Sequence, residues 1–167
     1  CNAKDKEVVI NLNSKIKKRE YFQPLAPILL EEDFDKYFIV RNCIKENLFS
    51  MGTLCEARKE LYNNYESVIH VDGTSRAQII TENNKIIFDI LKCIKKREID
   101  LLINTSFNIS KDPMVFDLFD VYVNMRRMDI RYVAMDNGLY ETKQIWENFL
   151  TIYIFLTILE KNMVFLN

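Results

Sequence analysis

The chain has 167 residues, of which 49% are hydrophobic, so it is long enough for one domain with a substantial core. Its 23 basic and 24 acidic residues nearly cancel, so charge alone does not indicate nucleic acid or an anionic membrane surface. The four cysteines have no CxxC spacing, and His70 is the single histidine, so we predict neither a disulfide framework nor a metal site. Such thiols are typical of a reducing compartment, and we expect the cytoplasm.

The N-terminal part of the sequence combines a helical pattern with a proline-rich segment. Apolar residues at helical spacing predict a helix over residues 5–16. The sequence KKREYFQPLAP follows, and Pro24 and Pro27 exclude a helix interior. We therefore predict an extended segment that leads into a strand around residues 25–30.

The rest of the chain alternates between strand and helix patterns. The predicted elements are a short helix at 31–38, a strand at 47–57, a loop at 57–67, two strands at 67–71 and 76–81 around a turn at 72–74, a helix at 83–97, a strand at 100–104, a helix at 117–127, a strand at 130–135 and a closing helix at 142–160. This alternation predicts an α/β domain with a mixed sheet. No secretory signal is visible, and the apolar run at 149–159 is too short to span a bilayer.

Three glycines, Gly52, Gly73 and Gly138, leave no spacing for a P-loop or a GxGxxG phosphate-binding loop. Any anion site must therefore use side chains, chiefly arginine and lysine.

The first candidate cluster is Lys17-Lys18-Arg19. In an extended segment the side chains of Lys17 and Arg19 share a face, and two cations on one face suit a phosphate. The alternative is an ordinary solvated basic face.

The second cluster is HVDGTSR, which contains His70, Asp72, Gly73, Thr74 and Arg76. Its loop and Arg76 could hold an anion, since Gly73 permits a turn with unusual backbone angles. The alternative is a hairpin turn with an exposed arginine and a histidine that satisfies its own hydrogen bonds.

The third cluster is NTSFN at residues 104–108, directly after a predicted strand. Ser106 and Asn108 lie two residues apart, and their hydroxyl and amide groups can bond phosphate or ribose oxygens. The alternative is a simple turn, since asparagine and serine close turns by bonding their own backbone.

The three clusters together resemble the C-terminal domain of the O-carbamoyltransferases, which carbamoylate antibiotics and nodulation factors. The similar stretches are IKKREYFQPLAPILLEE, HVDGTSRAQ and LLINTSFN followed by PMV. In that family the domain is similar to the YrdC-type threonylcarbamoyl-adenylate synthases. Their Lys-x-Arg pair, with a proline five residues after the arginine, matches Lys17, Arg19 and Pro24, and their Ser-x-Asn pair matches Ser106 and Asn108.

The resemblance implies a YrdC-like twisted mixed sheet with flanking helices over residues 1–140. The tail matches nothing in the family, and we predict a C-terminal helical extension at 141–167 that packs on the body, with an interaction surface as the alternative. The resemblance also implies an activity, in which the domain makes carbamoyl-adenylate from carbamoyl phosphate and ATP with Mg²⁺. The residues implied in catalysis are Lys17, Arg19, Arg76 and Ser106. The residues implied in phosphate or nucleotide binding are Lys17, Arg19, His70, Asp72, Gly73, Thr74, Arg76, Ser106 and Asn108.

In the family a separate N-terminal domain of the actin-like ATPase type, with its own metal, transfers the carbamoyl group to a hydroxyl. This chain lacks that domain, so we expect it to be part of a larger enzyme whose acceptor the sequence does not identify. It also has Gln23 before Pro24, where many family members have arginine. The alternatives are a non-catalytic nucleotide-binding or structural module and an RNA-binding YrdC-like domain, the latter disfavoured by the neutral charge.

Overall fold

The computed structural model describes residues 1–41, 45–135, 138–143 and 150. It divides into two compact units, Cys1–Ser106 and Phe107–Asn167. The closing helix predicted at 142–160 lies outside the described residues except for residues 142, 143 and 150.

The first unit contains most of the regular structure. Its helices and strands are α1 (Lys6–Asn11), β1 (Ala26–Leu30), α2 (Phe34–Tyr37), β2 (Phe38–Ile39), β3 (Cys55–Ala57), α3 (Lys59–Asn64), β4 (Thr74–Ser75), β5 (Gln78–Ile80), α4 (Lys85–Lys95) and β6 (Leu101–Asn104). A π-helical turn spans Leu12–Ile16, and 3₁₀ turns span Glu31–Asp33, Lys45–Ser50, Glu66–Val68 and Glu82–Asn84.

A mixed three-stranded sheet with the order β5-β1-β6 forms the centre of this unit. β1 runs parallel to β5 and antiparallel to β6, and Ala26 pairs with Asn104 while Ile28 pairs with Gln78. The first residues of β1 and β5 and the last residue of β6 therefore meet at one end of the sheet, called the Asn104 end below. The predicted α/β class is confirmed, as are the predicted strands at 25–30 and 100–104.

Both faces of the central sheet are buried. Successive strand residues point to opposite sides, so each strand contributes side chains to both faces. One face joins the main core, whose sheet members are Leu29, Ile79, Leu101 and Ile103. The other face packs Leu30 and Ile80 against Leu91 of α4. The helix predicted at 83–97 is thus confirmed, and it covers one side of the sheet.

Three sequence predictions between residues 45 and 81 are wrong. Residues 47–57 form the end of a 3₁₀ turn and the short β3 instead of one strand, and the predicted loop at 57–67 contains α3. No strand forms at 67–71, where the structure has the 3₁₀ turn Glu66–Val68, so the predicted pair of strands is absent, although the strand predicted at 76–81 is present as β5. β4 pairs with β3 in a second sheet, β2-β3-β4, whereas β5 pairs with β1. These segments are too short to show a hydrophobic periodicity, so their secondary structure depends on tertiary pairing.

The second unit contains α5 (Leu118–Arg127) and an antiparallel pair, β7 (Tyr132–Met135) and β8 (Gly138–Glu141). Asp117 caps α5, because its carboxylate accepts from the Asp120 amide at 2.9 Å. The predicted helix at 117–127 and strand at 130–135 are confirmed. None of the helices in the described ranges has the length and apolar character needed to cross a bilayer.

Candidate functional site

The segment that carries Lys17 is a turn, so the prediction of an extended strand there is wrong. α1 ends at Asn11, and the chain continues as the π-helical turn, which the Lys17 amide closes by donating to the Leu12 carbonyl at 2.8 Å. Lys18 then adopts a positive φ of 51°. Single π turns occur frequently at functional sites. Lys17 and Arg19 are therefore placed by this turn and by what each side chain contacts.

Lys17 is a buried cation, with only 3% of its surface exposed. Its ammonium donates to the Ser106 carbonyl at 2.6 Å and to the Ser106 hydroxyl at 3.1 Å. Burial lowers the pKa of Lys17, and the nearby charge of Arg19 lowers it further. The first and third sequence clusters thus meet, although 89 residues separate them.

Arg19 is half-buried and is held by Asn13. The Arg19 Nε donates to the Asn13 Oδ1 at 2.8 Å, and the Arg19 amide donates to the Asn13 carbonyl at 3.0 Å. Burial lowers the pKa of the guanidinium. Two cations therefore lie close together in a partly desolvated place, an arrangement that an anionic ligand would relieve.

Asn13, which is not among the residues predicted from the sequence, is fully buried at 0% exposure. A signal was present, because Val9, Asn13 and Lys17 follow one another at four-residue steps. This spacing puts all three on one face of a helix, and Val9 belongs to the core. Asparagine is unfavourable inside helices, so its place on a buried face indicates a specific hydrogen-bonding role.

Arg76 is exposed and lies between β4 and β5, two residues before Gln78. The sheet register puts the start of β5 at the Asn104 end, where β1 begins and where the segment leading to Ser106 leaves β6. At this end Asn104 donates to the Gln78 side chain at 2.7 Å, which joins the two outer strands across β1. The backbone topology thus directs Arg76 and Ser106 to the same end of the sheet.

The loop at residues 70–74 is held by its own hydrogen bonds. Thr74 donates to the Asp72 carboxylate from its amide at 2.9 Å and from its hydroxyl at 2.7 Å, and its hydroxyl lies 3.1 Å from the His70 Nδ1. These bonds from Thr74 hold the pKa of Asp72 below its usual value. Gly73 has a φ of 80°, and an added Cβ there would lie 2.9 Å from the Tyr62 hydroxyl oxygen. Phosphate binding by His70, Asp72, Gly73 and Thr74 stays a prediction.

The boundary between the two units falls between Ser106 and Phe107, so Asn108 belongs to the second unit. There its side-chain amide donates to the Asp112 carbonyl, and the Asp112 carboxylate pairs with Arg127 at 2.7 Å. The role of Asn108 beside Ser106 stays a prediction.

Two exposed aromatic rings follow Arg19. Tyr21 and Phe22 are 62% and 69% exposed and meet edge to face, with ring centroids 5.6 Å apart. Gln23 is also exposed. Its carbonyl is fixed, because it accepts from the Asn13 side chain at 2.8 Å. A side chain at position 23 therefore leaves from a fixed backbone close to Arg19.

Two clefts lie elsewhere among the described residues of the two units. A cleft of about 450 Å³ includes Lys36, Tyr37, Tyr65 and Asp100 and lies at the opposite end of β6 from Asn104. A cleft of about 780 Å³ in the second unit includes Tyr122, Arg126 and Arg131. Among the described residues, no three His, Cys, Asp or Glu side chains converge as metal ligands.

The chain matches the family model described as the carbamoyltransferase C-terminus, over residues 1–142. It is 33% identical over 121 residues to the nodulation protein NolNO of Sinorhizobium fredii, a match that covers 71% of this chain and 18% of the relative. It is 32% identical over 121 residues to the nodulation protein NolO of Bradyrhizobium diazoefficiens, covering 71% of this chain and 22% of the relative. An uncharacterized protein of Methanocaldococcus jannaschii is 30% identical over 136 residues, covering 80% of this chain and 26% of the relative.

The matched region thus spans about a fifth of the length of the curated relatives first described. The family model, in contrast, covers most of this chain and includes the segments that carry Lys17, Arg19, Arg76, Ser106 and Asn108. This chain belongs to the carbamoyltransferase C-terminus family.

Proposed function

We propose that this chain is the adenylate-forming domain of a carbamoyltransferase, which makes carbamoyl-adenylate from carbamoyl phosphate and ATP. The observation that carries the proposal is the contact between the buried Lys17 ammonium and Ser106, because it joins two distant motifs at the Asn104 end of the sheet. A second domain would then transfer the carbamoyl group to a hydroxyl acceptor. Family membership at the level of a transferase supports this proposal.

The proposed reaction balances in two steps. Water first cleaves carbamoyl phosphate to carbamate and phosphate. A carbamate oxygen then attacks the α-phosphorus of ATP, the bond from that phosphorus to the bridging oxygen breaks, and pyrophosphate leaves. Neither step needs a side-chain nucleophile, so the protein contributes position and charge neutralisation.

Each side chain has a proposed part in this chemistry. Arg19 would present a planar fork to phosphate oxygens, and because its Nε is already bonded to Asn13, its terminal nitrogens would make these contacts. Lys17 and the Ser106 hydroxyl lie together and would contact one phosphate group. Arg76, at the same end of the sheet, would neutralise a second phosphate or hold the carbamoyl end. Mg²⁺ would enter with ATP and reduce the charge on its phosphates.

The test measures pyrophosphate released from ATP and Mg²⁺ by the 167-residue chain, with and without carbamoyl phosphate. We expect release only when both substrates are present. We also expect Arg19→Ala to weaken ATP binding, measured by calorimetry, roughly ten- to a hundredfold, because a charge-assisted hydrogen bond contributes about 1.5–3 kcal/mol.

The matched control is Arg97→Ala, which removes an exposed arginine beyond α4, near the other end of the sheet. It should leave ATP binding unchanged. No heat with ATP at millimolar concentration would instead favour a structural module. ATP binding without pyrophosphate release, even with the transferase domain of a relative added, would favour a non-catalytic nucleotide-binding module.

A further inference from the structure

We infer that Asn13 is a positioning residue of this site, which fixes the Arg19 guanidinium and the backbone of residues 21–23 as one unit. The inference rests on the proposed function for its consequence, the binding of phosphate groups. The link between Asn13 and Arg19 can be tested without any ligand.

The first argument is that the Asn13 side chain is fully committed. Its Oδ1 accepts from the Arg19 Nε at 2.8 Å, and its Nδ2 donates to the carbonyls of Tyr21 at 3.0 Å and Gln23 at 2.8 Å. The side chain is completely buried, so water does not compete for these bonds. One amide therefore serves three positions of the following loop.

The second argument is that Arg19 is held twice by this one residue. The Asn13 backbone carbonyl accepts from the Arg19 amide at 3.0 Å, and the Asn13 side chain accepts from the Arg19 Nε. A long arginine side chain loses much rotamer freedom when its Nε is fixed in this way. This rotamer freedom is already lost when the protein folds, so phosphate binding does not carry the same entropy cost.

The third argument is that the π-helical turn puts Asn13 where it can do this. The turn carries Leu12–Ile16, and its closing bond ends at Lys17. Asn13 and Lys17 thus lie one turn apart on the same buried face, so one element places both Lys17 and the residue that holds Arg19.

The chemistry of the site requires an amide at position 13. Aspartate would keep an acceptor for Arg19 but would turn a second oxygen towards the carbonyls of Tyr21 and Gln23. Leucine has a similar size but neither a donor nor an acceptor, and it would leave two buried carbonyls and the Arg19 Nε without this partner. The two substitutions therefore separate the contact with Arg19 from the contacts with the loop.

The ligand-free experiment follows the Arg19 Nε–H signal by NMR in the ¹⁵N-labelled 167-residue chain, with the signal assigned by its loss in Arg19→Lys. We expect slow exchange with water in the wild type and in Asn13→Asp, and roughly tenfold or more faster exchange in Asn13→Ala. Ser14→Ala is the matched control, because the Ser14 hydroxyl lies in the same turn but donates back to the Ile10 carbonyl. Exchange in the wild type as fast as in Asn13→Ala would overturn the inference, whatever ATP does.

The second experiment is a double-mutant cycle on the affinity for ATP with Mg²⁺. We expect Asn13→Ala to weaken binding about tenfold, a part of what losing the arginine contact would cost. In an Arg19→Ala background the same change should weaken binding less than about twofold, because Asn13 acts through Arg19. An equal loss in both backgrounds would show a general structural role and overturn the inference.

The two proposals fail in different ways. If the wild type binds no ATP but its Arg19 Nε–H is protected by Asn13, the proposed function falls and the positioning of Arg19 stands. If Asn13→Ala does not fold, Asn13→Leu, which keeps a side chain of similar size, provides the comparison and should lose the protection of the Arg19 Nε–H in the same way.

Discussion

At the scale of single residues, the site depends on cations held close together in a partly buried place. Burial lowers the pKa of both Lys17 and Arg19, and their mutual repulsion adds to the effect on Lys17. The Ser106 carbonyl and the Asn13 amide oxygen offset this cost by accepting hydrogen bonds from the two cations. Charges that are fixed before the ligand arrives stabilise an anion without further reorganisation, which is the basis of electrostatic catalysis.

At position 23 this chain has glutamine, where the sequence resemblance implies arginine. The backbone at position 23 is fixed by Asn13 and the side chain is exposed next to the segment that carries Arg19. We expect Gln23→Arg to tighten ATP binding roughly tenfold and to raise the rate of pyrophosphate release, because it adds one charge-assisted contact.

The control for this variant is Asn63→Arg, which adds the same charge at an exposed position on α3. Asn63→Arg should change neither the ATP affinity nor the rate of pyrophosphate release by more than about twofold, because salt screens the effect of a distant added charge. If Gln23→Arg changes neither binding nor release, the side chain at position 23 does not face the ligand.

At the scale of elements, α4 shows how a helix can be evident in sequence while its packing is not. All five of its isoleucines and leucines follow helical spacing, yet only Leu91 is buried, at 1% exposure, and Ile86 is 67% exposed. Leu91, with the half-buried Phe88 and Ile94, covers Leu30 and Ile80 of the sheet. The part of α4 that packs against the sheet is thus narrower than the apolar stripe that its sequence predicts.

This difference within α4 gives a prediction about stability. Leu91→Ala should lower the free energy of unfolding by about 2–5 kcal/mol, because it leaves a cavity against the sheet. Ile86→Ala in the same helix should change it by less than about 0.5 kcal/mol, because that side chain is mostly in water. Urea denaturation of both variants is the measurement, and equal effects would contradict this packing of α4.

At the scale of the whole molecule, acid should weaken the fold through carboxylates paired with lysines. Asp100 is the most buried of those whose pKa is shifted. Burial acts to raise its pKa, but hydrogen bonds from Lys36, at 2.6 Å, and from the Tyr37 hydroxyl outweigh burial and lower it. Glu32 and Glu66 also have lowered pKa values through their lysine partners, but they are largely exposed, so solvent screens them.

The sign of the Asp100 contribution follows from this lowered pKa. Its stabilising effect is complete above the unfolded pKa of about 3.9 and is lost as the pH falls from there through the lower folded value. Asp100→Asn should therefore be less stable than the wild type by about 1 kcal/mol near pH 7, because a charge-assisted bond becomes a neutral one.

Denaturation curves between pH 7 and pH 2 measure this effect. The difference between Asp100→Asn and the wild type should shrink below about pH 4, as the wild-type carboxyl becomes protonated. Asp35→Asn is the control, because Asp35 is an exposed carboxylate in the same region of the chain. A difference that stays constant with pH would mean that Asp100 does not stabilise the fold through its charge.

Local patterns in the sequence determined the long elements and the identity of the motifs. The helical period of residues 83–97 and the apolar runs that became β1 and β6 are properties of neighbouring residues, so they could be predicted. Spacing and resemblance alone predicted Lys17, Arg19 and Ser106 as site residues. Short elements such as α3 and β4 were mispredicted, because two to six residues are too few to establish a period.

The tertiary structure decided how these residues meet. Spacing suggested that Lys17 and Arg19 share a face of an extended segment, whereas the π-helical turn buries Lys17 and the fixed loop holds Arg19. The four-residue spacing of Val9, Asn13 and Lys17 indicates a buried face, but the partners of Asn13 at positions 19, 21 and 23 are brought to it only by the turn. The contact between Lys17 and Ser106 depends on the pairing of β1 with β6. The sequence by itself determined which side chains are available for the chemistry. Their arrangement depends on long-range strand pairing, because contacts between distant residues form only when the whole sheet and its core form together.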